Sequence, residues 1–192
     1  MSGVDDAARR TGDARALPGD ARVAGAGDRA TVRAARPEDL ARVWELVLQL
    51  AAYERMTHFV TGTREQLGKL LFGDGETLAA RVAEHAGRIV GYTLFYVRYS
   101  SFRVRRRLWL EDLFVEPAAR GTGAGLALMR DLASIALERG CDRVDWDVLD
   151  WNQLAIDFYH RQGGVAVAKE WTQYSMDEAA LRRLAGDATS EA

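Results

Sequence analysis

Apolar positions along this chain recur at two spacings, one near 3.6 and one of 2, and segments of the two kinds alternate. Thr31-Val-Arg-Ala-Ala35 predicts a short first strand. Pro37-Glu38-Asp39 opens a helix with the proline and acids that suit a first turn. Leu40, Val43, Trp44, Val47, Leu50 and Ala51 then form one apolar stripe at helical spacing. A second helix is predicted over residues 63–71. Leu78–Glu84 and Arg88–Tyr99 predict strands joined at His85-Ala86-Gly87, a hairpin signal. Leu108–Val115 is a fourth strand, with Arg103–Arg107 in the turn before it. Residues 123–139 are apolar on most sides, which suits a helix packed hard on a sheet; only Arg130, Asp131, Ser134 and Glu138 line up as a polar face. Val144, Trp146 and Val148 alternate with Asp145 and Asp147 in a fifth strand. A helix at 152–162 and short strands near 164–168 and 171–176 complete the order. Helices and strands alternate, but hairpins make the sheet mixed, so the fold class is α/β.

Composition narrows the function classes. The chain has 192 residues, enough for one domain with a full core. Residues 1–29 lack any aromatic residue, and five Arg balance five Asp. Such a segment buries too little apolar area to offset chain entropy, so a disordered tail is expected there, with a domain over 30–184 and a loose tail over 185–192. The first segment has no apolar signal-peptide core, and its acids do not suit an organellar transit peptide. A net charge of −2 gives no basic field, so no nucleic-acid partner is expected. No apolar run approaches the ~18 residues of a membrane span, so no membrane partner is expected. The sole cysteine, Cys141, has no internal partner, which suits a cytoplasmic protein. His58, His85 and His160 form no metal-ligand pattern, and no metal is expected.

The most informative stretch is Arg120-Gly121-Thr122-Gly123-Ala124-Gly125, set between the fourth strand and the helix from Leu126. Glycines let backbone N–H groups turn toward a ligand, and the first helical turn adds free donors at the positive dipole end. The expected guest is a phosphate or pyrophosphate. A Walker loop is excluded because no Lys follows. The fingerprint Gly-x-Gly-x-x-Gly fails because Leu126 and Leu128 stand where its last glycine belongs. A dinucleotide-binding oxidoreductase is therefore a remote alternative, resting on Asp142 and Asp145 further along.

The spacing that does fit is Arg/Gln-x-x-Gly-x-Gly/Ala. With Trp151-Asn152-Gln153-Leu154-Ala155-Ile156-Asp157-Phe158-Tyr159-His160-Arg161-Gln162-Gly163 it resembles the GNAT superfamily of acetyl-CoA-dependent N-acetyltransferases, over roughly residues 31–176. Leu50-Ala-Ala-Tyr-Glu-Arg-Met56, Leu110-Glu-Asp-Leu-Phe-Val115 and Trp151-Asn152 resemble its diamine (spermidine/spermine) branch, which also holds thialysine enzymes. The resemblance implies the GNAT fold, a mixed, mostly antiparallel sheet splayed between strands 4 and 5 and flanked by helices. It implies acetyl-CoA as co-substrate, a small amine as acceptor, and a homodimer. Arg120, Gly121, Thr122, Gly123, Ala124, Gly125 and Leu126 would wrap the CoA pyrophosphate. Leu113, Phe114 and Val115 would meet the pantetheine arm as an added strand does. Asn152 would lie on the CoA side, although Asn at that place also suits a helix N-cap. Tyr53, Glu54, Glu111, Asp112 and Glu170 would bind the amine, with Asp145 and Asp147 as further acids. Trp171–Met176 could pair or exchange between subunits.

Acetylating an alkyl amine poses two proton problems. An amine of pKa about 10.4 is almost wholly protonated at neutral pH, and the departing thiolate needs a proton. The resemblance makes Tyr159 the donor to the thiolate and Glu111 the base, directly or through a water. Strand alternation puts Glu111 and Asp112 on opposite faces unless a bulge intervenes. The structural alternative for Glu111 is an ion pair with an arginine of the 103–107 run. A catalytically silent acyl-CoA-binding module is the rival within the fold, and the presence of both Tyr159 and Glu111 argues against it. Polyamine members carry Asp-Pro-Trp after the third strand; Ser100-Ser101-Phe102 stands there instead, which favours a shorter amine.

Overall fold

The computed structural model describes residues 29–75, 77–167 and 172–186. Residues 1–28, Glu76, residues 168–171 (with Glu170 and Trp171) and residues 187–192 lie outside the described residues, and with them most of the two expected tails. The chain divides into two units, Met1–Asp147 and Val148–Ala192.

The first unit is a five-stranded sheet in the order β1-β2-β3-β4-β5, with β1 Thr31–Ala34, β2 Ala79–His85, β3 Arg88–Ser100, β4 Arg105–Val115 and β5 Cys141–Asp145. The first four strands pair antiparallel, and β4 pairs parallel with β5. The β2–β3 hairpin closes at Ala86 and Gly87, with φ of 49° and 75°. Two left-handed residues match the twist of the flanking strands, and glycine takes the second at no steric cost.

Helices α1 Leu40–Tyr53 and α2 Arg64–Phe72 cover one face. Val43 and Leu46 of α1 pack with Val82, Tyr92, Leu94 and Phe114. The observed stripe thus runs through Leu46, with Leu40, Val47, Leu50 and Tyr53 beside it, rather than through Trp44 and Ala51. The opposite face carries α3 Ala124–Glu138. Its Leu132 and Ile135 pack on Phe95, Leu108, Leu110 and Cys141, and Leu128 packs on Ala83 and Val90. Leu128 and Leu132 are fully buried, each contributing roughly 2 kcal/mol of apolar transfer. Arg81 of β2 reaches Asp131 of α3 through two hydrogen bonds of 2.7 and 2.9 Å, so the predicted polar face of α3 is partly turned inward.

The sheet opens between β4 and β5. Their pairing ends at Trp109↔Asp145, while β4 runs on to Val115. β5 also stops short of the Val148 end predicted for it. Arg105–Arg107 belong to β4 rather than to a turn.

The second unit holds α4 Gln153–Arg161 and α5 Glu178–Ala185. Asn152 caps α4 by accepting from the Ala155 N–H at 3.3 Å. The helix ends at Gly163, φ 85°, with the Gly164 N–H on the Tyr159 carbonyl. Residues 164–167 and 172–176 form neither helix nor strand, contrary to the two short strands predicted. Val165 and Val167 are exposed, and an alternating pattern makes a strand only where another strand supplies its ladder. Helix α5 was not predicted, yet its caps are legible: Asp177 accepts from the Ala180 N–H at 2.8 Å, and Gly186 takes the left-handed position after it.

Candidate active site

The centre of the site in the first unit is a β-bulge. Opposite β3, Asp112 pairs with Leu94 and Leu110 pairs with Phe95, so Glu111 is the extra residue. A bulge interrupts strand alternation and re-aims side chains. Here Leu108 and Leu110 pack with α3, whereas Phe114 packs with α1. Unbroken alternation would have kept all three on one face. Glu111 and Asp112 therefore do not point to opposite faces, as plain alternation predicts. Asp112 accepts a hydrogen bond from the Tyr92 hydroxyl at 3.0 Å, and Glu111 accepts one from the Trp109 indole N–H at 2.8 Å. Trp109 stands opposite Tyr96, on the α1 side with Tyr92 and Leu94.

A third acid joins them. Glu54 directly follows α1, and burial raises its pKa. Burial pushes the Asp112 carboxyl up to about 6. The Tyr92 hydrogen bond opposes that shift, and the charges of Glu111 and Glu54 add to it. Burial and the Asp112 charge push the Tyr92 phenol well above its usual range. Three acids so arranged attract a cation and repel a second anion.

The structural alternative for Glu111 is not adopted. Arg103 reaches Asp142 at 3.8 Å and Arg107 reaches Asp145 at 3.1 Å instead. Asp145 also meets Arg143 at 3.0 Å, so this acid is engaged by two guanidiniums rather than open to an amine. Asp147 lies beyond the end of β5.

The glycine loop leads into α3. Gly123, at φ 86° and ψ −1°, is the N-cap, and no side chain caps the helix. The first bond closing the helix runs from the Ala127 N–H to the Gly123 carbonyl, so the donors of the first turn, Ala124, Gly125 and Leu126, face outward. A Cβ at Gly121 or Gly123 would meet nothing within 4 Å, so the left-handed backbone, not crowding, calls for glycine. Thr122 is tied down by its hydroxyl, which donates to the Ala119 carbonyl at 2.8 Å. Arg120 joins the loop to two elements: its Nε donates to the Val115 carbonyl at 3.4 Å, and its guanidinium lies 4.9 Å from the Tyr53 ring centroid. Tyr53 in turn precedes Glu54, so the loop and the acids share a neighbourhood. Leu113, Phe114 and Val115 lie on the part of β4 beyond the last β5 pair, where one edge of the backbone has no strand partner among the described residues. Uncapped helix donors and an open strand edge suit a pyrophosphate followed by an amide-bearing arm.

Sequence reasoning missed four contributors. Tyr92, Trp109 and Arg98 surround the acids, and Glu116 braces the start of the loop. Glu116 is buried, takes Arg42 at 2.7 Å, and also pairs with Arg88. Only the signs of these charges are visible in sequence; their partners are set by strand register.

In the second unit Asn152 is buried at the start of α4, and Tyr159 lies in its last turn, edge-on to Phe158 at 5.4 Å. The cap role of Asn152 is thus observed. Glu170 lies outside the described residues. Among the described residues no group of three or more His, Cys, Asp or Glu is arranged to hold a metal, and no helix is long and apolar enough to cross a membrane.

Both the sequence and the fold of this chain match known proteins. Residues 41–164 match the acetyltransferase (GNAT) family. The chain is 33% identical over 165 residues to thialysine N-epsilon-acetyltransferase of Bos taurus, covering 81% of this chain and 96% of that protein. It is 29% identical over 202 residues to an L-ornithine N5-acetyltransferase of Arabidopsis thaliana, covering 82% and 85%. A solved integron cassette protein of V. cholerae has a TM-score of 0.65 at 24% identity, covering 83% of this chain and 99% of that one, a likeness of fold. The chain belongs to the GNAT acetyltransferase family, and it is an acetyltransferase.

Proposed function

We propose that this enzyme transfers the acetyl group of acetyl-CoA to a primary amine of a small cationic substrate. One observation carries the reading: the β4 bulge gathers Glu111 and Asp112 with Glu54, beside a loop whose Arg120 stacks on Tyr53. A cation site adjoining an anion site is what an amine and a CoA thioester together require. The amino-acid acetyltransferases among its relatives support the amine class.

In this reading the Arg120–Leu126 loop holds the pyrophosphate through backbone donors, and the open edge of Leu113–Val115 receives the pantetheine amides. Glu54, Glu111 and Asp112 hold the ammonium, with Tyr53 alongside and Glu170 as a further acid. Glu111 takes the ammonium proton, directly or through a water. The neutral nitrogen attacks the thioester carbonyl, the C–S bond breaks, the thiolate takes a proton from Tyr159, and the nitrogen sheds its second proton to solvent, from which the phenolate is reprotonated. Asn152 both caps α4 and contacts CoA. The proposal sets the catalytic domain at residues 30–184, acting as a homodimer in the cytoplasm. A monomeric mass by light scattering at micromolar concentration would remove the dimer.

The test is a thiol-release assay with acetyl-CoA over diamines, polyamines and diamino acids, with the acetylated product identified by mass. Amine-dependent release above background hydrolysis is expected. CoA binding without release for any amine would favour a silent binding module.

A further inference from the structure

The acid cluster has a cation for a neighbour. The Arg98 guanidinium lies over the Trp109 ring, 4.4 Å from its centroid, and the same indole donates to Glu111. One flat side chain thus separates a positive group from the proposed amine site. Arg98 makes no ion pair among the described residues, although Glu111 is so near. A guanidinium held by its face keeps its in-plane N–H groups free, and these match a carboxylate in a two-point contact.

The surrounding charge points the same way. Arg98 stands opposite Arg107 in the β3–β4 pairing. Arg107 and Arg143 share the single carboxylate of Asp145. Arg98, Arg107 and Arg143 thus set three guanidiniums against the one carboxylate of Asp145. From Arg98 to Arg107 the sequence holds five Arg and no Asp or Glu. A substrate with a second ammonium would place it against this field. A substrate with an anion there would neutralise it.

We propose that Arg98, carried on Trp109, is the specificity determinant that binds a substrate carboxylate, so that the enzyme selects diamino acids over diamines and polyamines. The ammonium sits with Glu54, Glu111 and Asp112, and the carboxylate sits at Arg98. Trp109 serves both ends, as platform for the guanidinium and as donor to the base. The inference rests on the amine-acetylation reading and narrows it.

Matched pairs differing by one carboxylate give the test: L-ornithine against putrescine, and L-lysine against cadaverine. The wild-type enzyme is expected to favour the amino acid by tenfold or more in kcat/KM. Arg98→Gln should raise KM for the amino acid at least tenfold with kcat little changed, and leave the diamine unchanged or improved. Arg98→Lys should restore part of the preference, since it returns the charge without the planar fork. Arg98 is exposed, so folding of both variants, checked by circular dichroism, should match wild type. An amino-acid-to-diamine ratio that Arg98→Gln leaves unmoved overturns the inference and leaves the amine reading standing. Preference for putrescine or spermidine in the wild type does the same. Absence of thiol release with every amine overturns both.

Discussion

The hydroxyl of Tyr92, a residue with no solvent exposure, donates to Asp112 Oδ2 at 3.0 Å. This bond joins the core to the acid cluster and gives a pH signature. Burial raises the Asp112 pKa to about 6 from a reference of 3.8, with the charges of Glu111 and Glu54 adding to the shift. Between those values the folded chain holds a proton that the unfolded chain has released. Stability should therefore fall as pH rises through that window and level off above it. Glu54, raised by burial, acts with the same sign. The Tyr92 bond favours the ionised carboxylate, so Tyr92→Phe should push Asp112 higher still and deepen the loss above pH 6. The drop in Tm between pH 5 and pH 7.5 should be larger in Tyr92→Phe than in wild type. Equal drops would show that the bond does not set the protonation of Asp112.

Much of the fold was legible because periodicity is a property of single elements. The stripe of α1, the hairpin at Ala86-Gly87 and the glycine loop before α3 each announce themselves within a dozen residues. What failed depends on register. No local pattern marks Glu111 as an extra residue, since the bulge exists only as a mismatch between β3 and β4. The shared use of Asp145 by Arg107 and Arg143, and the stacking of Arg98 on Trp109, have the same origin. The missing strands after α4 show the converse case, a local pattern without a partner. All three acids of the cluster, Glu54, Glu111 and Asp112, were thus named from sequence through the family resemblance, but their geometry was not.

Trp109 fixes Glu111 through one N–H donor. Trp109→Phe keeps an aromatic face for Arg98 and removes that donor. kcat/KM for the amine should fall by roughly three- to tenfold, in line with one hydrogen bond of about 1 kcal/mol. Glu111→Gln should cost more, and should move the pH optimum upward as the amine must lose its proton unaided. A Trp109→Phe enzyme with the wild-type rate and pH profile would show that Glu111 needs no such support.

Gly123 stands at φ 86°, where a β-branched residue is strained whatever space surrounds it. Gly123→Val should distort the first turn of α3 and lower CoA affinity by tenfold or more, about 1.4 kcal/mol. Calorimetric titration with CoA would measure this. Unchanged affinity in a folded variant would separate the loop from pyrophosphate binding.

Tyr159→Phe is the sharpest test of the proposed chemistry. It removes one hydroxyl and retains the ring that meets Phe158 edge-on. The backbone of Tyr159 accepts from the N–H groups of Gln162 and Gly164, and neither bond involves the side chain, so the end of α4 should stay intact. If the phenol protonates the departing thiolate, kcat should fall by roughly 10²–10⁴-fold, the usual range for general acid catalysis. KM for acetyl-CoA should move little, because the lost interaction belongs to the transition state rather than to the bound thioester. A Tyr159→Phe enzyme that keeps more than about half the wild-type kcat while chemistry limits the rate would assign the proton to water or another group.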